Sequence, residues 1–244
     1  MFPIRDHNPS QRTPYVTYAL IAANIVMYLM TLPGVPGGEW LWARLALYPL
    51  AGVNGQLLWG LLTHMFLHAG LLHVGGNMLF LWVFGDNLED QMGHRGFLAF
   101  YLAAGLAAAA GQIAAAPFSP VPMVGASGAI AGVMGGYLLL FPRARIDVIA
   151  IFIIFFKIFT VPAWLVLGAW FALQVFGGFT VAGDGGGVAY WAHSGGFIAG
   201  IVLALPLFLR RGGPRFWSRH HGRPPHPAAD YAPSRIPQVP RRFR

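Results

Sequence analysis

Long apolar blocks alternate along the chain with short polar or glycine-rich joints. Six of the blocks stand out, at roughly 15–32, 71–84, 97–116, 127–141, 158–176 and 190–209. Hydrocarbon offers no partner to an unpaired backbone N–H or C=O, so each block is predicted to be a helix. A seventh stretch, VIAIFIIFF at 148–156, stops at Lys157. It is too short to span and is expected to lie buried or at the membrane interface on the inner side. The polar residues 1–14 form an N-terminal cytoplasmic segment, 15–209 a helical membrane domain, and 210–244 a basic, Pro-rich tail that is expected to be disordered. The fold class is therefore an all-α membrane protein of six transmembrane helices.

Composition supports this setting. Of the 244 residues 56% are hydrophobic and 10% charged, with a mean hydropathy of +0.57. A soluble domain carries about a quarter charged residues, so the balance is that of a multi-span membrane protein. The net charge of +8 does not point to nucleic acid, because the basic residues gather in loops and tail and not on one face. Cysteine is absent, which excludes disulfides and thiolate metal sites. The first residues do not read as a cleaved signal peptide, so the first block is expected to be retained as a span. Six spans put both termini on one side, and 15 of the 16 Lys and Arg residues fall there, leaving Arg44 on the other. By the positive-inside bias both termini are predicted to be cytoplasmic, in the plasma membrane of a bacterium.

The joint before the fourth block reads VGASGAIAG, with Ser127 between glycines. A hydroxyl there serves as a helix cap, a packing contact or a nucleophile. Position discriminates among these. The 15 residues 127–141 reach only about 22 Å as a helix, against a hydrocarbon core of about 30 Å. The helix is then expected to start below the outer surface, and the preceding APFSPVPMVGA to dip into the membrane as non-helical backbone held by protein or water. A submerged helix N-terminus, with free N–H groups and a positive dipole end, suits a developing negative charge.

A nucleophilic serine needs a base. His193, in YWAHSGGFIAG, lies near the start of the sixth block, at a depth similar to that of Ser127. Gly128, Gly132 and Gly136 are spaced by four, as are Gly196, Gly200 and Ala204. Stripes of small residues let helices approach closely; if these two face each other, Ser127 and His193 come within reach. In the second block His73 and Asn77 are four apart and share a helix face. Both can donate to an oxyanion alongside the Ser127 amide. His64 and His68 have a metal-like spacing but no Cys, Asp or Glu nearby to complete a set; no metal and no cofactor is expected.

Taken together, GASG opening a span, HAGLLHVGGN on an earlier one and AHSGGFIAG on the last resemble the rhomboid family of intramembrane serine proteases, over about residues 57–209. The resemblance implies a six-helix bundle that cleaves single-span membrane-protein substrates near their outer end, within the lipid bilayer, through a Ser-His dyad without an acid. It makes Ser127 the nucleophile, His193 the base, and His73, Asn77 and the Ser127 amide the oxyanion hole. Glu89 in GDNLEDQMG matches a structural carboxylate at the inner end of the second span. The outer acidic residues, Glu39 and Asp184, stand in no motif beside His193.

Two positions depart from the family pattern. Members often carry an aromatic one turn after the serine, stacked on the histidine; here it is Ala131, so His193 is expected to be held by Trp191 or Tyr190. A Trp-Arg pair often anchors the first outer loop, whereas here Trp59 is followed by Gly60. Two other functions compete. A catalytically silent rhomboid-like binder of membrane proteins would be marked by loss of the serine or histidine, and both are present. A transporter or proton channel would predict acidic residues or inverted halves in the spans, and neither is visible.

Overall fold

The computed structural model of the chain describes residues 2–8, 10–50, 58–152, 155–180 and 188–224. Within them the chain is mostly helical. The helices are α1 (Tyr15–Met30), α2 (Gly38–Leu45), α3 (Gly60–Thr63), α4 (Leu71–Ala115), α5 (Ser127–Leu140), α6 (Ala163–Thr180), α7 (Tyr190–Arg210) and α8 (Pro214–His220), with a single 3-10 turn over His64–Phe66. Three of them, α4, α6 and α7, are long and apolar enough to cross a membrane; α1 and α5 are shorter apolar helices. Their outward faces carry bare hydrocarbon: Leu72 is 93% exposed and Phe179 74%. A soluble surface does not tolerate such an apolar face. In lipid it is the ordinary state.

The second and third apolar blocks form one continuous helical element, broken only at Gly93, whose φ of +71° is open to glycine and strained for other residues. The chain reverses there, producing two arms. Just before the break, Glu89 is buried and ties α1 to the first arm. Its carboxylate accepts the backbone N–H groups of Val16 (2.9 Å) and Thr17 (2.8 Å), the Thr17 hydroxyl (2.7 Å) and a bond from His94 Nδ1 (2.5 Å). An anion at the start of α1 satisfies N–H groups that have no partner within the helix.

α5 is the core of the molecule. Residues 128–137 and Leu140 are all buried, as expected of a helix apolar all round. It packs between α4 and α7, and the small-residue stripes face each other in register. A methyl placed on Gly196 would strike the Gly128 carbonyl, one on Gly200 would strike the Gly132 carbonyl, and one on Gly136 would meet Ala204 Cβ at 3.5 Å. The α5 glycines also accommodate α4: a methyl on Gly128 would lie 2.6 Å from Ala108 Cβ. α5 and α7 therefore run parallel with their backbones in contact.

The all-α expectation is corrected at the far end of α5. Two strands, β2 (Arg145–Phe152) and β3 (Phe155–Pro162), pair antiparallel, and β1 (Phe2–Asp6) adds to them to give the order β1-β2-β3. The fifth helix consequently begins at Ala163, not near 158, and ends at Thr180. Lys157 stands on β3, its ammonium over the Phe159 ring at 5.1 Å. The stretch 148–161 is rich in β-branched residues, which fit a pleated strand. Asp147 locks the three strands together: it accepts from Arg5 (3.0 Å) and Thr160 Oγ1 (2.7 Å) and pairs with His7 Nε2 (2.7 Å). The tail departs from its expectation too. Pro214–His220 is helical, with Trp217 Nε1 donating to Leu139 O (3.0 Å) and Arg143 N to Gly222 O (2.8 Å). Residues 225–244 lie outside the described residues.

Gly200→Ala is expected to lower the unfolding free energy by about 1–3 kcal/mol, because the added methyl has a carbonyl in its place. Gly76→Ala, with nothing within 4 Å, is expected to change it by no more than about 1 kcal/mol. An SDS unfolding titration of the purified protein compares them. For the sheet, the bond from His7, with those of Thr160 and Arg5, holds the Asp147 carboxyl down to about 2, below its ordinary 3.8. The stability it contributes is present above that ordinary value and is lost as pH falls from 3.8 towards 2. Amide protection in β1 and β2 is expected to drop in that window, and Asp147→Asn to show the low protection at every pH. Burial raises the nearby Asp6 carboxyl, which acts in the opposite sense, so the difference between wild type and Asp147→Asn isolates the Asp147 share.

Candidate active site

Ser127 is the first residue of α5, and the chain leading to it is not helical. Residues 116–126 run as turns and extended backbone held by protein. Met123 exchanges two hydrogen bonds with Leu47, N to O at 2.7 Å and O from N at 3.1 Å, and Gly125 N donates to His64 O at 2.9 Å. The entry to the helix is non-helical, as the short apolar block led us to expect, and its last residues, Met123, Gly125 and Ala126, are buried, whereas Phe118 is exposed.

The helix contacts then bring His193 to Ser127. Ser127 precedes Gly128 by one residue and His193 precedes Gly196 by three, so seating one glycine on the other carbonyl brings the two side chains together. Ser127 Oγ and His193 Nε2 are 2.7 Å apart. Both residues are half-buried. The other imidazole nitrogen, Nδ1, meets Gln174 Oε1 of α6 at 2.8 Å. The Trp170 ring, also from α6, lies against the imidazole with centroids 5.7 Å apart and planes 34° apart.

His73 and Asn77 occupy successive turns at the start of α4. Ala69 N donates to His73 Nδ1 (3.4 Å); a nitrogen that accepts carries no proton, so the ring proton sits on Nε2. That Nε2 faces Gly125, where an added Cβ would be 2.7 Å from it and 3.5 Å from Ser127 Oγ. With a φ of +121°, Gly125 is required here both for its conformation and for the space it leaves between the two groups. Asn77 is buried, and its Nδ2 has no hydrogen-bond partner among the described residues. A buried amide without a partner costs about 1–3 kcal/mol.

His68 packs edge-on to His73 at 5.0 Å, with Ala126 N 3.5 Å from its Nε2. His64 is buried and bonds Gly60 O through Nδ1 (2.8 Å), a structural contact in the loop. The site thus gathers Ser127, His193 and His73, with Asn77 one helical turn beyond His73; these are the four side chains read from the sequence. It also contains two that were not, Gln174 and Trp170. Gln174 is a buried polar residue in an apolar helix, a signal of the same kind as His73 and Asn77.

The two departures resolve differently from the expectation. Trp191 packs against Phe179 (5.0 Å) and the Tyr190 ring against Gly177, so neither holds His193; Trp170 and Gln174 do. Ala131 is fully buried in the helix packing. In the first loop, the arginine comes from α2. Arg44 stands over the Trp59 ring at 5.0 Å, and Trp59 Nε1 donates to Arg44 O at 2.7 Å. Gly60 is needed for close approach, since a Cβ would lie 2.8 Å from Ala46 O. Glu39 sits in α2, and Asp184 lies outside the described residues.

Sequence comparison shows the family. The pattern that defines the Rhomboid domain matches residues 55–210, well over half of the chain. The chain belongs to the rhomboid family and is a multi-pass membrane protein. It is similar to the rhomboid protease GluP of Bacillus subtilis, 39% identical over 51% of this chain and 24% of that one. It is 30% identical to the mitochondrial Rhomboid protein 1 of Saccharomyces cerevisiae, over 77% of this chain and 51% of the yeast protein. To Rhomboid-related protein 2 of Mus musculus it is 32% identical, over 65% and 53%. The chain therefore spans about half the length of the yeast and mouse relatives and a quarter of the Bacillus one. Proteins of this family act in the lipid bilayer on membrane-protein substrates.

Proposed function

We propose that this protein is an intramembrane serine endopeptidase that cuts the transmembrane segments of single-span membrane proteins near their outer end. The observation that carries the reading is the 2.7 Å contact between Ser127 Oγ and His193 Nε2 at the start of a helix only 14 residues long. Ser127 Oγ attacks the scissile carbonyl carbon as its proton passes to Nε2. Negative charge develops on the carbonyl oxygen, where the Ser127 N–H, the His73 Nε2–H and the unpartnered Asn77 amide supply donors. Collapse breaks the C–N bond, and the amine leaves with the proton held by His193. Water then hydrolyses the acyl ester by the same route in reverse. No step calls for a metal or cofactor.

The topology that goes with this reading has six spans, counting the two arms of α4 separately, with both termini cytoplasmic. Arg5, Arg143, Arg145 and Lys157 sit on the sheet end of the bundle, with Arg95 after the Gly93 break. The Ser127 end has Arg44. That asymmetry turns the sheet inward and the serine outward. In a bacterial plasma membrane the cut would fall towards the outer face.

Purified protein is expected to react with a fluorophosphonate probe and to cleave a single-span test substrate, and Ser127→Ala to lose both. His193→Ala is expected to abolish cleavage, and Asn77→Ala to slow it about 10²-fold or more at similar KM. Cleavage that survives Ser127→Ala overturns the proposal. Binding of the substrate by wild type without any cleavage identifies a silent binder instead.

A further inference from the structure

The proposed dyad leaves one matter open: what keeps the proton on the right nitrogen of His193. An imidazole exchanges its proton between Nδ1 and Nε2, and only the form with Nε2 free can take the serine proton. In proteases with a triad, an acid at the second nitrogen selects that form. The residue meeting Nδ1 here is a neutral amide, Gln174 Oε1 at 2.8 Å.

An amide can donate or accept, and a Gln turned end for end would select the wrong form of the imidazole. The backbone of α6 decides which way it faces. Gln174 Nε2 points at Trp170 O, four residues earlier, at 3.4 Å. Turning the amide over would set its oxygen against that carbonyl oxygen, two acceptors with no proton between them. Oε1 is thereby aimed at Nδ1, which must donate, and Nε2 is left as the acceptor facing Ser127 Oγ at 2.7 Å. The same Trp170 whose carbonyl accepts the amide hydrogen bond lays its ring against the imidazole. Gln174 is 8% exposed, and a polar side chain is costly inside an apolar helix unless it has such partners.

We propose that Gln174 is the positioning residue of the site, a neutral third member that accepts the His193 Nδ1 proton bond and holds the imidazole in the form able to take the proton of Ser127. The inference rests on the proteolytic reading above. His193 remains the base, and Gln174 acts only through it.

The test compares wild type with Gln174→Leu, Gln174→Glu and Ser127→Ala as full chains in membranes or detergent, reading kcat, KM and the rate–pH profile on one single-span substrate. Gln174→Leu, similar in size but without an acceptor, is expected to lower kcat at least about tenfold with KM within about twofold. Gln174→Glu keeps the acceptor and adds a charge beside the imidazole. It is expected to retain cleavage and to move the acidic limb of the profile to higher pH by about one unit. Among the described residues, His73, which acts on His193, and His68, which packs against His73, are the same in all variants, so a moved limb reports the new carboxylate. A residue that merely packs would leave the limb in place. If Gln174→Leu does not fold, the limb of Gln174→Glu decides alone. Wild-type kcat in Gln174→Leu, or an unmoved limb in Gln174→Glu, overturns the role of Gln174 while Ser127-dependent cleavage stands. Cleavage that survives Ser127→Ala sinks the underlying reading instead.

Discussion

Everything at this site hangs on the contact of two backbones. α7 can lie against α5 only because Gly196 and Gly200 offer no side chain where the carbonyls of Gly128 and Gly132 sit. Tight helix packing in lipid gains little from the hydrophobic effect and depends on van der Waals contact between small residues. That contact fixes the depth, rotation and spacing of both helices at once. Ser127 and His193, each within three residues of a contact glycine, are then brought to 2.7 Å without any loop having to place them. A site carried by rigid helices keeps its geometry better than one carried by loops.

A second constraint is length. With 14 residues, α5 covers about 21 Å, less than the hydrocarbon thickness of about 30 Å. Its two ends are completed differently. At the serine end, the polypeptide descends as extended backbone pinned by Leu47 and His64. At the other, the three-stranded sheet and α8 close over Phe141 and Pro142, with Ala163 N bonding Ala144 O and Trp217 bonding Leu139 O. The proposed hydrolysis would need water at the serine end of a helix that is otherwise sealed in apolar contacts.

The long apolar helices, their order and the contact of Ser127 with His193 were legible in the sequence, because apolar blocks and four-residue glycine spacing each report a single physical requirement; the short helices α2, α3 and α8, which are not long apolar blocks, were not. Neither was the strand pair. VIAIFIIFF is apolar without alternation, and a short run of that kind does not distinguish strand from helix. Its outer partner strand, Phe2–Asp6, lies more than a hundred residues away, too far for any local pattern to show. Gln174 escaped for another reason. It stood within a predicted span as one polar residue among apolar ones, and only the packing of α6 against α7 reveals that it reaches His193. Trp191 and Tyr190 were favoured for closeness along the chain, yet a helix turns neighbours away from one another. Arg44 likewise reaches Trp59 across 15 positions, where a family pattern looks for the adjacent residue.

The proposed chemistry requires that Ser127, half-buried at the start of an otherwise buried helix, can be reached from water. The chain contains no cysteine, so a single introduced thiol can be followed without ambiguity. Ser127→Cys and Ala131→Cys, one turn apart, can be exposed in membranes to a water-soluble, membrane-impermeant maleimide. The account predicts rapid labelling of Cys at the serine position and none at the alanine, which is fully buried. Equal protection of the two would contradict it.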